Sequence, residues 1–364
     1  MATIDTHVPD GTTDSPDITP VELVQAGRNH SMPLEALRAD LTPPGLHYVL
    51  VHYDIPDVDA ERWRLDLDGA VERPLQLSLE DLRARPAVTL PVTLECAGNG
   101  RSLMSPRAIS QPWVHGAVGT AEWTGTPLAG LLKDAGLTDD AVEIVFTGLD
   151  SGVEGGVAQD YARSMSVAEA LSSDALIAYA FNGAPLPPQH GFPARLVHPG
   201  WYGMASVKWL ASIRVLTAPF TGYQMTRSYR MKSDPDEPGT PVTRIAVRSL
   251  MIPPGIPEFP SRLRHVTPGP VEITGRAWSG AGPIEQVEFS ADGGRTWTDA
   301  DLDAPLGRYA WRGWRHTWDA EAGDYELCCR ATDATGATQP AEPEWNLGNY
   351  AGNGIQRVAV TVAP

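Results

Sequence analysis

The pattern of apolar and polar positions mixes strand and helix signals up to about residue 240. Trp63, Leu65 and Leu67 alternate with polar residues in WRLDLDGAV, which predicts a strand. TGTPLAGLLKDAGL (124–137) predicts a helix with Thr126 as N-cap, Pro127 at its first position and Gly136 at its end. LSLEDLRAR and SVAEALSSD predict two shorter helices, capped by Ser78 and Ser166. This region is therefore predicted to be an α+β domain, which we place at residues 19–240.

The pattern changes after YRMKSDPDEPGTP, a charged run rich in Pro and Gly that is typical of a domain end. PVEITGRAW, VEFSADGGRTW, DYELCCRATD and VAVTV then alternate with period two, and helix signals nearly disappear. Short strands separated by turns predict an all-β, immunoglobulin-like sandwich over residues 245–364. The Thr-, Asp- and Pro-rich residues 1–18 are predicted to be a disordered tail.

Composition and charge narrow the classes of function. The 364 residues hold 28 Lys and Arg against 45 Asp and Glu, a net charge of −17, so the surface repels nucleic acid and anionic lipid. We expect neither as a partner. No apolar run is long enough to span a bilayer, and the first residues do not resemble a secretory signal. These features lead us to expect a cytoplasmic location.

The three cysteines do not form a disulfide framework. Cys328 and Cys329 are adjacent in a predicted strand and are expected to be small buried residues. Cys96 instead follows a strand-like run and opens the turn CAGNGR, which ends at Arg101. Two interpretations stay open from these residues: a catalytic thiolate paired with His190 or His30, or a metal-bound thiolate whose other ligands come from a cofactor.

Motifs typical of nucleotide-binding proteins and of zinc sites are missing from the sequence. GNG is neither a Walker nor a dinucleotide-binding loop, and the chain holds no CxxC or HExxH motif. Arginines, histidines and a lysine instead gather in Gly- and Pro-rich stretches of both regions, among them HGFPARLVHPGWYGMASVKW and GRYAWRGWRHTW. Such side chains on loops bind oxyanions and phosphates well. By itself Arg312, between two tryptophans, fits a packing residue equally well.

Several of these motifs resemble the sulfite oxidase family of molybdenum enzymes. TLECAGNGRS, HGFPARLVHPGWYGMASVKWL and RNH resemble its molybdopterin domain, and GRAWSGAGPIEQVEFSADGGRTW, AWRGW and EWNLGNYAGNGIQRVAV resemble its dimerisation domain. The resemblance runs from about residue 20 to the end. It implies an α+β sulfite-oxidase-type molybdopterin domain followed by a β-sandwich, and a homodimer.

The resemblance also assigns roles to individual residues. It makes Cys96 the protein ligand of a molybdenum centre that carries a pyranopterin dithiolene. It implies a substrate pocket and a set of pterin-binding residues. The pocket would be formed by Arg28, Arg101, Trp113, Tyr229 and Arg312. The pterin would be bound by His30, Asp150, Ser164, His190, Arg195 and Lys208.

The activity implied by the resemblance is oxidation of sulfite to sulfate. Nothing in the chain resembles the haem domain of the animal enzymes, so electrons are expected to pass to a separate acceptor, with a cytochrome c and oxygen as candidates. Nitrate reduction, or turnover of another small sulfur oxyanion or a sulfoxide, is the alternative on the same fold. A non-enzymatic binding module is disfavoured by Cys96 together with His190, Arg195 and Lys208.

Overall fold

The computed structural model describes residues 12–15 and 17–363. Five α-helices are described: α1 (Pro20–Arg28), α2 (Leu79–Arg83), α3 (Leu128–Ala135), α4 (Val167–Ser172) and α5 (Tyr223–Thr226). Single turns of 3₁₀ helix cover Leu34–Arg38, Arg101–Leu103, Pro188–His190 and Gly203–Ala205. The helices are short compared with the strands, so the sheets determine where the loops meet.

Fourteen of the described strands precede residue 245. They are β1 (Thr12–Thr13), β2 (Leu65–Gly69), β3 (Leu75–Leu77), β4 (Val88–Glu95), β5 (Arg107–Ala108), β6 (Val118–Pro127), β7 (Glu143–Glu154), β8 (Val157–Ser166), β9 (Leu176–Phe181), β10 (Ala184–Pro185), β11 (Arg195–Val197), β12 (Leu210–Leu216), β13 (Arg230–Met231) and β14 (Thr240–Pro241). One sheet has the order β10-β9-β6-β4, with β11 also pairing with β9, and a second has the order β3-β2-β12-β7-β8. This mixture of helices with two main sheets is the predicted α+β architecture.

The core of this region explains the periodicities of the sequence. Leu65 and Leu67 of β2 are fully buried with Leu128, Leu131 and Leu132 of α3, in one apolar cluster. Burial of this kind stabilises the fold by about 1.5–3 kcal/mol for each large side chain.

The predicted helix ends are largely confirmed. Ser78 and Ser166 cap α2 and α4 through their hydroxyl oxygens, which accept from Asp81 and Glu169 backbone N–H groups. Gly136 ends α3 with a positive φ of 70°, as predicted. The predicted start of α3 is wrong by one residue, since Pro127 takes the N-cap position and the helix begins at Leu128. Thr126 does not cap this helix, and its hydroxyl donates to the Leu82 carbonyl instead.

The rest of the chain is all-β. Its strands are β15 (Arg248–Met251), β16 (Ile256–Pro257), β17 (Arg264–Val266), β18 (Gly269–Trp278), β19 (Ile284–Ser290), β20 (Thr298–Asp299), β21 (Asp301–Leu302), β22 (Arg312–Ala320), β23 (Gly323–Asp333) and β24 (Gln356–Val362). They form two sheets, with the orders β15-β18-β22-β21 and β16-β17-β24-β23-β19-β20. Their inner faces enclose one core that contains Phe289, Trp314 and Leu327, as expected for a sandwich. Cys328 and Cys329 are buried and unbridged on β23, as predicted.

The N-terminal segment differs in part from the predicted disordered tail of residues 1–18. Residues 1–11 and 16 lie outside the described part of the chain. Thr12 and Thr13 form β1, which pairs antiparallel with β5. Thr19 and Glu22 then form a capping box at the start of α1, and a buried ion pair joins Glu22 to Arg107. The segment is therefore attached to the first region by paired backbone and by charge.

Candidate active site

Cys96 lies at the end of β4, where the strand leaves the sheet. Its N–H donates to the Ala117 carbonyl at 2.9 Å, and its own carbonyl accepts from Asn99 at 3.0 Å. Gly100 closes the turn with a φ of 93°, and a Cβ there would lie 2.3 Å from the Gly352 carbonyl oxygen. Only glycine fits this conformation and this close approach. The turn holds the sulfur at one place, against a loop of the second region.

Burial and the neighbouring polar groups shift the pKa of the Cys96 thiol in opposite directions. Burial raises the pKa of the thiol, since the side chain is only 7% exposed. The charge of Arg101, the Gly98 N–H and the Trp113 indole each lower it. Apart from this weak interaction with the sulfur, the Trp113 indole N–H has no hydrogen-bond partner among the described residues. A thiolate at this position would thus be stabilised by a metal cation together with these groups.

An inner cavity lies on one side of Cys96, and we define it by His47, Asp150, His190, Arg195 and Lys208. Arg195 donates to the His190 carbonyl at 3.0 Å and to the Ser206 carbonyl at 2.9 Å. Lys208 donates to the Leu50 and Gln189 carbonyls at 2.7 and 3.0 Å. These bonds fix Arg195 at the start of β11 and Lys208 on the segment between β11 and β12.

Several polar atoms of this cavity are buried without partners. Asp150 Oδ1, His47 Nε2 and His190 Nε2 make no hydrogen bond to any described residue. Burial raises the pKa of Asp150 to about 6 and lowers that of Lys208 to about 7 and that of His190 to about 2. Buried polar groups are nearly always satisfied in proteins. The unpartnered polar atoms and the two basic side chains therefore fit an organic ligand that carries hydrogen-bonding ring groups and an anionic group, as a pterin with a phosphate does.

An outer cavity of about 920 Å³ opens on the other side of Cys96. Arg28, Arg101, Trp113, Glu154 and Tyr229 are among its lining residues, and Cys96 and Tyr229 line both cavities. Arg101 donates through Nε to the Gly348 carbonyl at 3.1 Å, and its guanidinium lies 5.5 Å from the Tyr350 ring. Arg28 is more exposed and forms an ion pair with Asp54 at 3.3 Å.

The structure thus brings nine of the twelve predicted site residues to these two cavities. Arg28, Arg101, Trp113 and Tyr229 line the outer one, Asp150, His190, Arg195 and Lys208 line the inner one, and Cys96 lies where they meet.

The other three predicted residues line neither cavity, contrary to the expectation from the resemblance. Arg312 donates to the carbonyls of Asp303 and Ile284 at 2.7 and 2.9 Å, so it packs within the sandwich. Ser164 donates to Glu143 at 2.6 Å, beside an adjoining strand. His30 is exposed, and its backbone pairs with Val49.

Two residues that sequence reasoning missed support Tyr229. Its hydroxyl lies 2.5 Å from His52 Nε2, and the Arg163 guanidinium lies 5.3 Å from its ring. Burial lowers the pKa of His52 to about 3 and raises the pKa of Tyr229. The tyrosine therefore stays protonated, and its hydroxyl donates a hydrogen bond to the neutral imidazole of His52. His52 follows the apolar run YVLV, which carries no signal of a site.

A buried ion pair also joins the two regions behind the Cys96 turn. Arg248 of β15 donates to Glu95 at 3.0 Å, and the two side chains are 1% and 2% exposed. Trp278 and Asn99 add further hydrogen bonds to the same carboxylate, both at 2.8 Å. Glu95 immediately precedes Cys96, so the second region directly supports the segment that carries the thiol. Sequence reasoning did not predict this pair, because its members are far apart in the chain.

Two kinds of feature are absent from the described residues. In residues 12–15 and 17–363, no group of three or more His, Cys, Asp and Glu side chains is arranged to hold a metal ion. None of the helices in the same residues is long and apolar enough to cross a membrane.

Known proteins share both regions of this chain. Residues 52–224 match the family described as "oxidoreductase molybdopterin binding domain", and residues 242–363 match the "Mo-co oxidoreductase dimerisation domain". Chicken sulfite oxidase is 37% identical over 84% of the chain and 70% of its own length. Mouse mitochondrial sulfite oxidase is 35% identical over 89% of the chain, which spans 62% of the mouse protein. A rice nitrate reductase is 33% identical over 88% of the chain and 38% of its own length.

A solved structure shows the same architecture. The sulfane dehydrogenase SoxCD from Paracoccus pantotrophus matches 92% of the chain and 86% of its own chain, with a TM-score of 0.80 and 29% identity. The similarity therefore extends over both the α+β region and the sandwich.

Proposed function

Because this chain belongs to the sulfite oxidase family, we propose that it oxidises sulfite to sulfate at a molybdenum–molybdopterin centre held by Cys96. The electrons pass to an external acceptor. The observation that carries the proposal is the meeting of two cavities at Cys96. One has unsatisfied polar atoms that suit a pterin, and the other has two arginines that suit a small anion.

The inner cavity would hold the cofactor. Arg195 and Lys208 would face its phosphate, and the unpaired Asp150 Oδ1 would accept from pterin N–H groups. When bound, the centre supplies two-electron redox chemistry coupled to oxygen-atom transfer at sulfur. Cys96 would anchor it, since the protein offers this single thiolate at the junction of the cavities.

The outer cavity would bind and orient the substrate. Arg101 and Arg28 attract an anion, and the free indole N–H of Trp113 is a hydrogen-bond donor beside Cys96. Each charge-assisted hydrogen bond is worth about 1.5–3 kcal/mol. Tyr229 and His52 would hold one proton at the junction, in the hydrogen bond between the Tyr229 hydroxyl and His52 Nε2.

The proposal is tested with protein made in a host that synthesises the pterin cofactor. We expect about one molybdenum per chain and sulfite-dependent reduction of ferricyanide. Cys96→Ser should lose both molybdenum and activity, whereas the matched variant Cys328→Ala, which changes another buried cysteine, should keep both. Molybdenum retained by Cys96→Ser would contradict the proposed ligand.

Nitrate and a sulfoxide serve as parallel substrates in that experiment. Nitrate and a sulfoxide remain second candidates because Arg312 lies outside both cavities. The two arginines that line the outer cavity attract a dianion such as sulfite less strongly than three would. Turnover of nitrate or the sulfoxide, with no turnover of sulfite, would replace the substrate and leave the cofactor proposal intact.

The oligomeric state, the electron acceptor and the cellular location are also part of this proposal. A homodimer is supported by the match of residues 242–363 to a dimerisation domain. Sedimentation at micromolar concentration should give twice the mass of one chain, and a monomer there would contradict it. A cytochrome c or oxygen as acceptor and a cytoplasmic location are tested by acceptor titration and by cell fractionation.

A further inference from the structure

The outer cavity contains a carboxylate, whose negative charge would repel a dianionic ligand. Glu154 stands at the end of β7, half-buried, and lines the cavity with Arg28 and Arg101. It accepts from Gln224 Nε2 at 2.8 Å, from the Ser228 hydroxyl at 3.0 Å and from the Tyr53 hydroxyl at 3.3 Å. Three donors hold the carboxylate in place on the cavity wall.

The negative charge of Glu154 is felt by the aromatic hydroxyls around the junction. It is one of the causes that raise the pKa of Tyr229, and after burial it is the largest cause that raises the pKa of Tyr53, to about 12. An anion in the cavity experiences the same potential. Among the described residues that line the cavity, the side chains charged at neutral pH before any cofactor is bound are Arg28, Arg101 and Glu154, and the charge of Arg28 is partly compensated by Asp54.

We propose that Glu154 is a charge-selecting residue, which weakens the binding of dianions relative to singly charged and uncharged molecules. This rests on the proposed function, because it takes the outer cavity as the substrate site. For sulfite oxidation, the consequence is that hydrogen sulfite is the preferred substrate form and that the dianionic product sulfate is bound weakly. Coulomb repulsion scales with the charge of the ligand, so the two forms are separated without any difference in shape.

The test measures anion binding to the molybdenum-loaded protein by calorimetry, at constant ionic strength and pH. Three probes form a charge series: sulfate, nitrate and dimethyl sulfoxide. Glu154→Gln should tighten sulfate about tenfold, equivalent to about 1.4 kcal/mol, nitrate about threefold, and dimethyl sulfoxide not at all. The amide oxygen can still accept from Gln224 and Tyr53, and the amide N–H₂ can donate to the Ser228 hydroxyl, so the hairpin of β7 and β8 should stay in place.

Two further variants separate local charge from other causes. Asp160→Asn removes the same charge from the same hairpin, but Asp160 does not line the outer cavity, and it should change every affinity less than twofold. Arg28→Gln should act in the opposite direction and weaken sulfate more than nitrate. Equal changes for all three probes in Glu154→Gln, unchanged sulfate binding, or an equal gain in Asp160→Asn would each overturn the inference.

The role of Glu154 and the proposed function are decided by different measurements. Catalytic turnover and the metal content of Cys96→Ser decide whether the chain is a molybdenum sulfite oxidase. The order of the three affinities decides the role of Glu154, whichever substrate is turned over. As a kinetic counterpart, sulfate should inhibit Glu154→Gln at about a tenth of the concentration that inhibits the parent protein, while Asp160→Asn should resemble the parent.

Discussion

Replacing Arg248 by methionine should destabilise the protein at the junction of its two regions. Arg248 lies 3.0 Å from Glu95, and neither side chain is more than 2% exposed. The substitution removes the only cation that contacts this carboxylate among the described residues, and it leaves Trp278 and Asn99 as donors. The carboxylate would remain buried, next to Cys96, with its charge no longer paired.

The magnitude follows from the burial of both partners. Removing one member of a buried pair costs about 3–5 kcal/mol, since the remaining charge is not compensated. We expect about 3 kcal/mol, because two hydrogen bonds to Glu95 persist. Burial raises the pKa of Glu95, and Arg248 is the largest influence that opposes this rise. The folded-state pKa should therefore rise further in the variant, and the cost should shrink as the pH falls through it.

The assay is urea unfolding at pH 7.5 of four proteins: the parent, Arg248→Met, Glu95→Gln and the double variant. The double variant should lose less free energy of unfolding than the two single variants together, because the pair is removed as a unit. Arg244→Met is the matched control. Arg244 forms an ion pair with Glu169 at 3.3 Å but is 46% exposed, so its loss should cost less than about 1 kcal/mol.

Two results would refute this reasoning. One is a cost for Arg248→Met no larger than that of the exposed control. The other is strict additivity of the single variants, which would mean that Arg248 and Glu95 contribute independently. Molybdenum content provides a second readout, and we expect it to fall in Arg248→Met, because Glu95 holds the start of the Cys96 turn.

Two further predictions concern the cavities. Asp150→Asn should stabilise the cofactor-free protein by about 3 kcal/mol above pH 6, because burial raises the folded-state pKa of Asp150 to about 6 from 3.8. The gain should vanish below about pH 4, where the carboxyl is protonated in both states; urea unfolding across this range checks it, and a gain independent of pH would contradict it. Tyr229→Phe should slow turnover and leave molybdenum bound, because it removes only the hydroxyl that faces His52; metal analysis with steady-state kinetics checks this, and loss of molybdenum would contradict it.

Local sequence signals predicted the elements of the fold well. Ser78 and Ser166 cap helices because a hydroxyl followed by an acidic residue satisfies free N–H groups at a helix start. The alternation in DYELCCRATD became β23, with Leu327 and Cys329 in the sandwich core. Thr126 shows the limit of such signals, since a tertiary partner, the Leu82 carbonyl, took the hydroxyl that the local pattern assigned to a cap.

The site was harder to predict, because its residues are brought together by long-range packing. The resemblance suggested Arg312 as a pocket residue, but its side chain is occupied by two carbonyls of the sandwich. Conversely, Glu154 belongs to a strand end whose sequence, DSGVEGG, resembles an ordinary hairpin. Its position in the outer cavity depends on Gln224 and Ser228, which come from a segment far along the chain.

The packing of the two regions bears directly on how the thiol is presented. The Cys96 turn is held from one side by the carbonyl of Ala117, the residue before β6. It is held from the other side by Arg248, through Glu95, and by the loop at Gly352. The second region is therefore part of the wall that fixes the metal ligand, as well as a candidate surface for dimerisation. Any change that loosens the packing of the sandwich against β4 should lower metal retention before it unfolds either core, because the Cys96 turn is the structure that the two regions share.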